Sequence, residues 1–286
     1  MIMNNIKNTT PDKDDFLQRM LDIAKVPKRL WYIGKIPENA PSVAIVGSRK
    51  PTEYGKYVTL KLASELVSRG VIIVSGLALG HDALAARGAL DGKGKTVAVL
   101  GTAINDVTPK TNYNLAEEIV KNDGAVISEF EAGTKYHGGM HLQRNRLISA
   151  LADVIIIVEA GFKSGTLNTA MHALEQGREL MAVPGNITSP LSVGCNKLIS
   201  QGATPVTSVD DVLEKLGLSL GGNDNTPLAQ DESQRLIIEA IKSGVNDGDE
   251  IIKENSLTAS EFNRSITMLE LAGSVKALGA NRWVIK

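Results

Sequence analysis

A chain of 286 residues can hold one large domain and a smaller one. With 43% hydrophobic residues, 22% charged residues and a formal net charge of −1, it has the composition of an ordinary globular protein, neither disordered nor globally basic. Its single cysteine, Cys195, excludes an internal disulfide and fits a reducing compartment, and the absence of a long apolar run argues against a signal peptide or a membrane span, so the expected location is cytoplasmic.

The first 40 residues carry one amphipathic segment, DFLQRMLDIA, followed by KRLWYIGKIPE. That is too little for a separate core, and residues 1–40 are expected to pack as a short extension on the rest. From Pro41 onward, β-branched runs alternate with helix-length patterns. The runs are VAIV (43–46), VIIV (71–74), TVAVL (96–100), AVIS (125–128), DVIIIVE (153–159), ELMAVP (179–184) and the weaker TPVT (204–207). Continuous apolar runs of this kind are strands buried on both faces, and the intervening helical patterns, most of them ending in Gly, are crossovers. Residues 41–217 therefore predict an α/β fold, a Rossmann-like doubly wound, mainly parallel sheet.

The Gly/Asn/Asp-rich stretch at 218–231 breaks the pattern and reads as a linker. Beyond it, SQRLIIEAIKSG, DGDEIIKENS and TASEFNRSITMLELAG predict three short helices. SVKALGANRWVIK predicts a ribbon turning near Gly279-Ala280-Asn281. This order over 232–286 predicts a small C-terminal winged-helix domain. Its third helix sets Arg264 against Glu261 and Glu270, a poor match for a duplex groove, and Ile266, Leu269 and Leu271 are expected in its core. Lys276 and Arg282 on the wing could add modest DNA affinity.

In an open α/β sheet, ligands bind beyond the carboxyl ends of the strands. Three strands run directly into Gly: Val46-Gly47, Ser75-Gly76 and Leu100-Gly101. Glycine admits close approach of a ligand and a helix N-terminus offers free N–H groups, so this edge suits phosphate. Gly47, Ser48, Arg49 and Lys50 follow the first strand, Ser75 and Gly76 the second, and Ser164-Gly165-Thr166 precede a helix. With Arg144, Asn145 and Arg146 on the same edge, the site would be locally basic, fitting a phosphate polymer better than a neutral metabolite. Arg144 and Arg146 share a face only if their segment is extended; on a helix they diverge by roughly 200°.

The four histidines show no paired metal spacing, so no metal is expected. Cys195 has no neighbouring base, Asp82 reads as a helix cap, and no catalytic triad, Walker loop or paired carboxylates stand out, so no catalytic residue is assigned.

The strings VAIVGSRKPTEYGK, VSGLALGHDALAARGAL, TVAVLGTAIN, ISEFEAGT, QRNRLISALADVIIIVEAGFKSGTLNTAMHALEQGRELMAVPGN and GCNKLISQGA, in this order, resemble the DNA-processing DprA/Smf family over about residues 41–213. The tail, LTASEFNRSITMLELAGSVKAL, is similar to that family's winged helix. The resemblance implies a protein that binds single-stranded DNA without sequence preference, protects it and loads a RecA-type recombinase in natural transformation. It implies a homodimer without enzymatic activity or cofactor. It also implies that Arg49, Arg144, Asn145 and Arg146 bracket the strand entrance. The chain departs from the family in carrying His81 between Gly80 and Asp82, Ala86 where a histidine is usual, and His141-Leu142 in place of a Phe-Pro pair. Its N-terminal region is also shorter.

Two rivals share the fold class. A nucleoside 5′-monophosphate phosphoribohydrolase would need a glutamate where Thr169 stands, and threonine cannot supply its acid/base chemistry. A nicotinamide dehydrogenase would need G-x-G-x-x-G where the chain has Gly47-Ser48-Arg49-Lys50-Pro51-Thr52.

Overall fold

The structure is a computed structural model that describes residues 5–218, 231–271, 274–279 and 281–285. The chain divides into two compact units, residues 1–218 and 219–286.

The first unit is built on a nine-stranded sheet. Its strands are β1 (Lys7–Thr9), β2 (Leu30–Gly34), β3 (Ser42–Val46), β4 (Ile72–Ser75), β5 (Thr96–Leu100), β6 (Ala125–Ser128), β7 (Val154–Ile157), β8 (Glu179–Ala182) and β9 (Thr204–Pro205), in the spatial order β1-β2-β6-β5-β4-β3-β7-β8-β9. From β6 to β9 every pairing is parallel; β1 and β2 join antiparallel at one edge. Its α-helices, among the described residues, are α1 (Glu53–Ser68), α2 (His81–Asp91), α3 (Tyr113–Lys121), α4 (Met140–Ala150), α5 (Thr166–Glu175), α6 (Val193–Ser200) and α7 (Val209–Lys215).

Alternation along the strands sorts the core into layers. Ala44, Val46, Val74, Ile155 and Ile157 face one side, where they meet Leu147 and Ile148 of α4, Ala170 and Ala173 of α5 and Cys195 of α6. Val43, Ile45, Ile73, Val154 and Ile156 face the other, against Leu62 and Leu66 of α1, Ala85 and Ala89 of α2 and Val212 of α7. Helices on both faces leave β3 to β7 fully buried, which is why their sequences are almost continuously apolar. At roughly 1.5–3 kcal/mol for each fully buried Val, Ile or Leu, these layers dominate the stability of the unit.

Two features differ from the sequence reading. The N-terminal segment contributes strands to the sheet itself: Leu30–Gly34 pairs with Ala125–Ser128, and DFLQRMLDIA forms only a short 3-10 turn at Leu17–Met20. Arg19 fastens that turn, donating to Asp153 Oδ2 at 2.8 Å and to the Ala40 carbonyl at 2.9 Å. Residues 193–200, assigned to no helix from the sequence, form α6, whose small Gly194 and Cys195 are buried against the sheet. Among the described residues no helix is long and apolar enough to cross a membrane.

The second unit holds α8 (Glu232–Lys242), α9 (Gly248–Glu254), α10 (Ala259–Leu271) and an antiparallel hairpin of β10 (Val275–Gly279) and β11 (Arg282–Ile285). Ile237, Ile241, Ile251, Phe262, Ile266, Leu269 and Val275 form its core, and Trp283 meets Phe262 edge-on with ring centroids 5.5 Å apart. Leu271, expected in that core, is 78% exposed. Arg264 pairs with Asp231 at 2.9 Å. The expected linker at 218–231 lies, apart from its ends, outside the described residues, as does Ala280 in the expected turn.

Candidate nucleic-acid interface

β3 is flanked by β4 on one side and β7 on the other, so the chain leaves the carboxyl ends of β3 and β7 in diverging directions. A crevice opens at such a reversal. Here it is a cavity of about 270 Å³, lined by Gly47, Ser48 and Arg49 after β3, by His141, Leu142, Arg144 and Asn145 of α4, and by Ser164, Gly165 and Thr166 at the start of α5. Eight of the residues expected on this edge thus share one cavity, although they come from three separate segments.

Arg144 forms its inner wall. The side chain is buried, and Nη1 donates to the carbonyls of Gly76 (2.6 Å) and Val99. Burial pushes its pKa down to about 10, with Asp82 opposing the shift and the like charge of Arg49 adding to it; the guanidinium stays charged at neutral pH. Asp82 does not cap its helix. Its Oδ2 accepts from the Gly76 N–H at 3.1 Å, and Gly80, at the cap position ahead of α2, leaves the helix without a side-chain cap. Burial pushes the Asp82 carboxyl up, opposed by Arg144. A Cβ on Gly76 would collide with both side chains, so the strand runs into glycine here to let the buried pair close over the backbone.

Arg49 is exposed, and its guanidinium forms no hydrogen bond or ion pair with any described residue. His141 lies beside it; burial lowers its pKa, and the nearby charges of Arg144 and Arg49 lower it further. Asp82 also lines the cavity and offsets the charge of Arg144, so the charge left without a carboxylate is that of the exposed Arg49, which can take an anion. The start of α5 adds oriented backbone dipoles to the same cavity. Thr169, where a phosphoribohydrolase would carry its glutamate, is buried on the cavity wall with a neutral side chain.

Four expected residues do not line this cavity. Ser75 is buried and donates to the Ile45 carbonyl at 2.8 Å, bracing the sheet. Gly76 lines a smaller adjoining cavity of about 100 Å³ that shares Arg49, His141 and Arg144 with the first. Lys50 is exposed beyond the rim, its N–H bonded to Ser48 Oγ at 3.1 Å. Arg146 points elsewhere because α4 begins at Met140, after Gly139 at φ +94°, so the Arg-Asn-Arg stretch is helical and its two arginines diverge. Arg146 Nη2 donates to both oxygens of Glu129, at 2.6 and 2.7 Å, and the side chain lines a separate cavity with Gln143 and Gln176. Asn145 remains on the cavity side, its amide donating to Asn168 Oδ1 at 3.2 Å.

Residues 7–217 match the family described as DNA recombination-mediator protein A. The chain belongs to that family. Protein Smf of Escherichia coli is 33% identical over 277 residues, covering 93% of this chain and 74% of its own. The X-ray structure of DNA processing protein A from Streptococcus pneumoniae aligns with a TM-score of 0.67 at 36% identity, covering 74% of this chain and 75% of that one. DNA processing protein A from Helicobacter pylori, whose structure was described for its single-stranded DNA binding mode, aligns with a TM-score of 0.66 at 30% identity, covering 76% of this chain and 98% of that one. This member of the DNA recombination-mediator protein A family therefore has the α/β fold with a large, mainly parallel sheet found in its solved relatives.

Proposed function

We propose that this protein binds single-stranded DNA in the crevice between β3 and β7 and acts there as a recombination mediator. The observation that carries the reading is the exposed Arg49 at the reversal point, whose guanidinium has no partner among the described residues, beside buried Arg144 and facing the N-terminus of α5. The binding mode described for the Helicobacter pylori relative supports the same ligand. Gly47, Ser48, Arg49, Ser164, Gly165 and Thr166 would hold phosphate, Arg144 would fix the inner wall, and Asn145 would reach a base or sugar. Lys50 and Arg146 would act at the margins, through long-range charge and through the packing of α4. Ser75 and Gly76 would support the wall from behind.

The finer reading follows the family. The protein would protect incoming single strands and load a RecA-type recombinase in natural transformation, as a cytoplasmic homodimer without catalysis or cofactor. The exposed apolar side chains of Phe162, Met171 and Leu174 offer a surface for the second copy. The helices and hairpin of the second unit would form a winged helix making protein contacts or adding modest DNA affinity through Lys276 and Arg282.

Titration of a fluorescent single-stranded oligonucleotide at a series of salt concentrations tests the central part. Each neutralised phosphate contributes roughly −0.7 to the slope of log K against log salt for a single strand. A slope corresponding to two or more phosphates is expected, with weaker binding to a duplex of the same length. Absent or salt-independent binding would overturn the reading, and hydrolysis of nucleoside monophosphates would then be the assay to run.

A further inference from the structure

We propose that Glu159, backed by His81, is a positioning residue that sets where Arg49 reaches into the crevice; the inference rests on the reading that Arg49 contacts phosphate. Neither residue lines the cavity. Both are buried, with side chains 0% exposed for His81 and 3% for Glu159.

Glu159 follows β7 and ties down both ends of the loop that carries Arg49. Its backbone carbonyl accepts from the Ser48 N–H at 2.9 Å. Its carboxylate takes the far end: Oε2 accepts from the Thr52 N–H at 2.9 Å and Oε1 from the Thr52 hydroxyl at 2.5 Å. His81 completes the clasp. Its Nε2 faces Glu159 Oε2 at 3.0 Å, its Nδ1 faces Thr59 Oγ1 at 2.6 Å, and its N–H donates to the Ser48 carbonyl at 3.3 Å. Thr52 in turn caps α1, accepting from the Gly55 N–H at 3.0 Å. Arg49 therefore sits on a short span whose two ends are held by one carboxylate residue.

The surroundings are cut to fit this clasp. A Cβ on Gly55 would collide with the Glu159 carboxylate, and a Cβ on Gly47 would collide with the His81 ring. Placing a carboxylate in a core is costly unless every oxygen is bonded, and an apolar side chain would close this space at less expense. What the carboxylate supplies and an apolar group cannot is a fixed direction for Thr52 and, through His81, a second anchor on the same loop. Arg49 has no partner of its own to hold it, so the backbone beneath it decides which phosphate positions its guanidinium can reach.

The test is a double-mutant cycle on single-stranded DNA affinity with Glu159→Ala, Arg49→Ala and the double variant, each confirmed as folded by circular dichroism at the assay temperature. Glu159→Ala is expected to weaken binding about tenfold, and the double variant to bind no more weakly than the weaker single one, because misplacing Arg49 and deleting it remove the same contact. Glu159→Gln keeps an acceptor for Thr52 and a partner for His81 and is expected to stay within about threefold of wild type. Thr52→Val, at an exposed position, removes the hydroxyl tie together with the cap on α1 but leaves the backbone tie, and keeps the test open if Glu159→Ala does not fold; it should also lose its effect once Arg49 is alanine. Multiplicative losses in the cycle, or wild-type affinity in both Glu159→Ala and Thr52→Val, would overturn the positioning role while leaving the pocket intact. Wild-type affinity in Arg49→Ala would instead overturn the phosphate reading itself, and this inference with it.

Discussion

Replacing Arg144 with alanine is expected to lower the unfolding free energy by about 2–6 kcal/mol, because it leaves two buried carbonyls unpaired at roughly 1–3 kcal/mol each. The guanidinium is buried and satisfies the Gly76 and Val99 carbonyls, and its loss leaves the buried Asp82 carboxyl without a counter-charge. The sign of the pH dependence follows. Asp82 has a folded pKa raised above the usual carboxylate range by burial, so the folded state holds its proton more tightly than the unfolded chain and stability falls as pH rises through that region. Without Arg144 this penalty grows, and the deficit should shrink in acid, where a protonated carboxyl needs no partner. Adding Asp82→Asn to Arg144→Ala should recover part of the loss at neutral pH, and urea denaturation of the four proteins measures the coupling. A loss below about 1 kcal/mol for Arg144→Ala, with no pH dependence, would mean that the pair does not carry the wall of the crevice.

Arg49→Ala should behave in the opposite way. The side chain is exposed and makes no bond to the rest of the described protein, so stability should change by no more than about 0.5 kcal/mol. A charge-assisted hydrogen bond contributes roughly 1.5–3 kcal/mol, so affinity for single-stranded DNA should fall about 10- to 150-fold. One phosphate contact fewer should also flatten the salt slope by about 0.7. Fluorescence anisotropy beside thermal unfolding separates the two quantities. A variant that binds as wild type does would remove Arg49 from the interface.

The contrast between these arginines shows what the sequence discloses and what it hides. The parallel strands are legible because burial on both faces writes them as continuous β-branched runs, and the switch-point rule then places Arg49 and Ser164–Thr166 on one edge. β2 is not legible as part of the sheet: LWYIG is short, follows a Lys- and Pro-containing segment, and is recruited by antiparallel pairing to a strand far along the chain. α6 is hidden behind Pro190 and by its small buried residues, which leave little helical periodicity to detect. The separation of Arg144 from Arg146 turns on where α4 begins, and two adjacent glycines ahead of Met140 leave that start undecided. Asp82 looks like a cap because its partner Arg144 lies on a different helix, and the clasp of His81 on Glu159 joins segments that no local pattern connects. Buried polar pairs are long-range facts, and residue spacing carries only local ones.

Amide hydrogen exchange on the full chain, with and without a saturating single-stranded oligonucleotide, tests the location of the interface most directly. Slowed exchange is expected at residues 47–50 and 164–167, where a bound strand would cover the backbone of the crevice, with α7 unchanged as an internal control. Protection confined to other surfaces, with residues 47–50 and 164–167 exchanging as in the free protein, would contradict it.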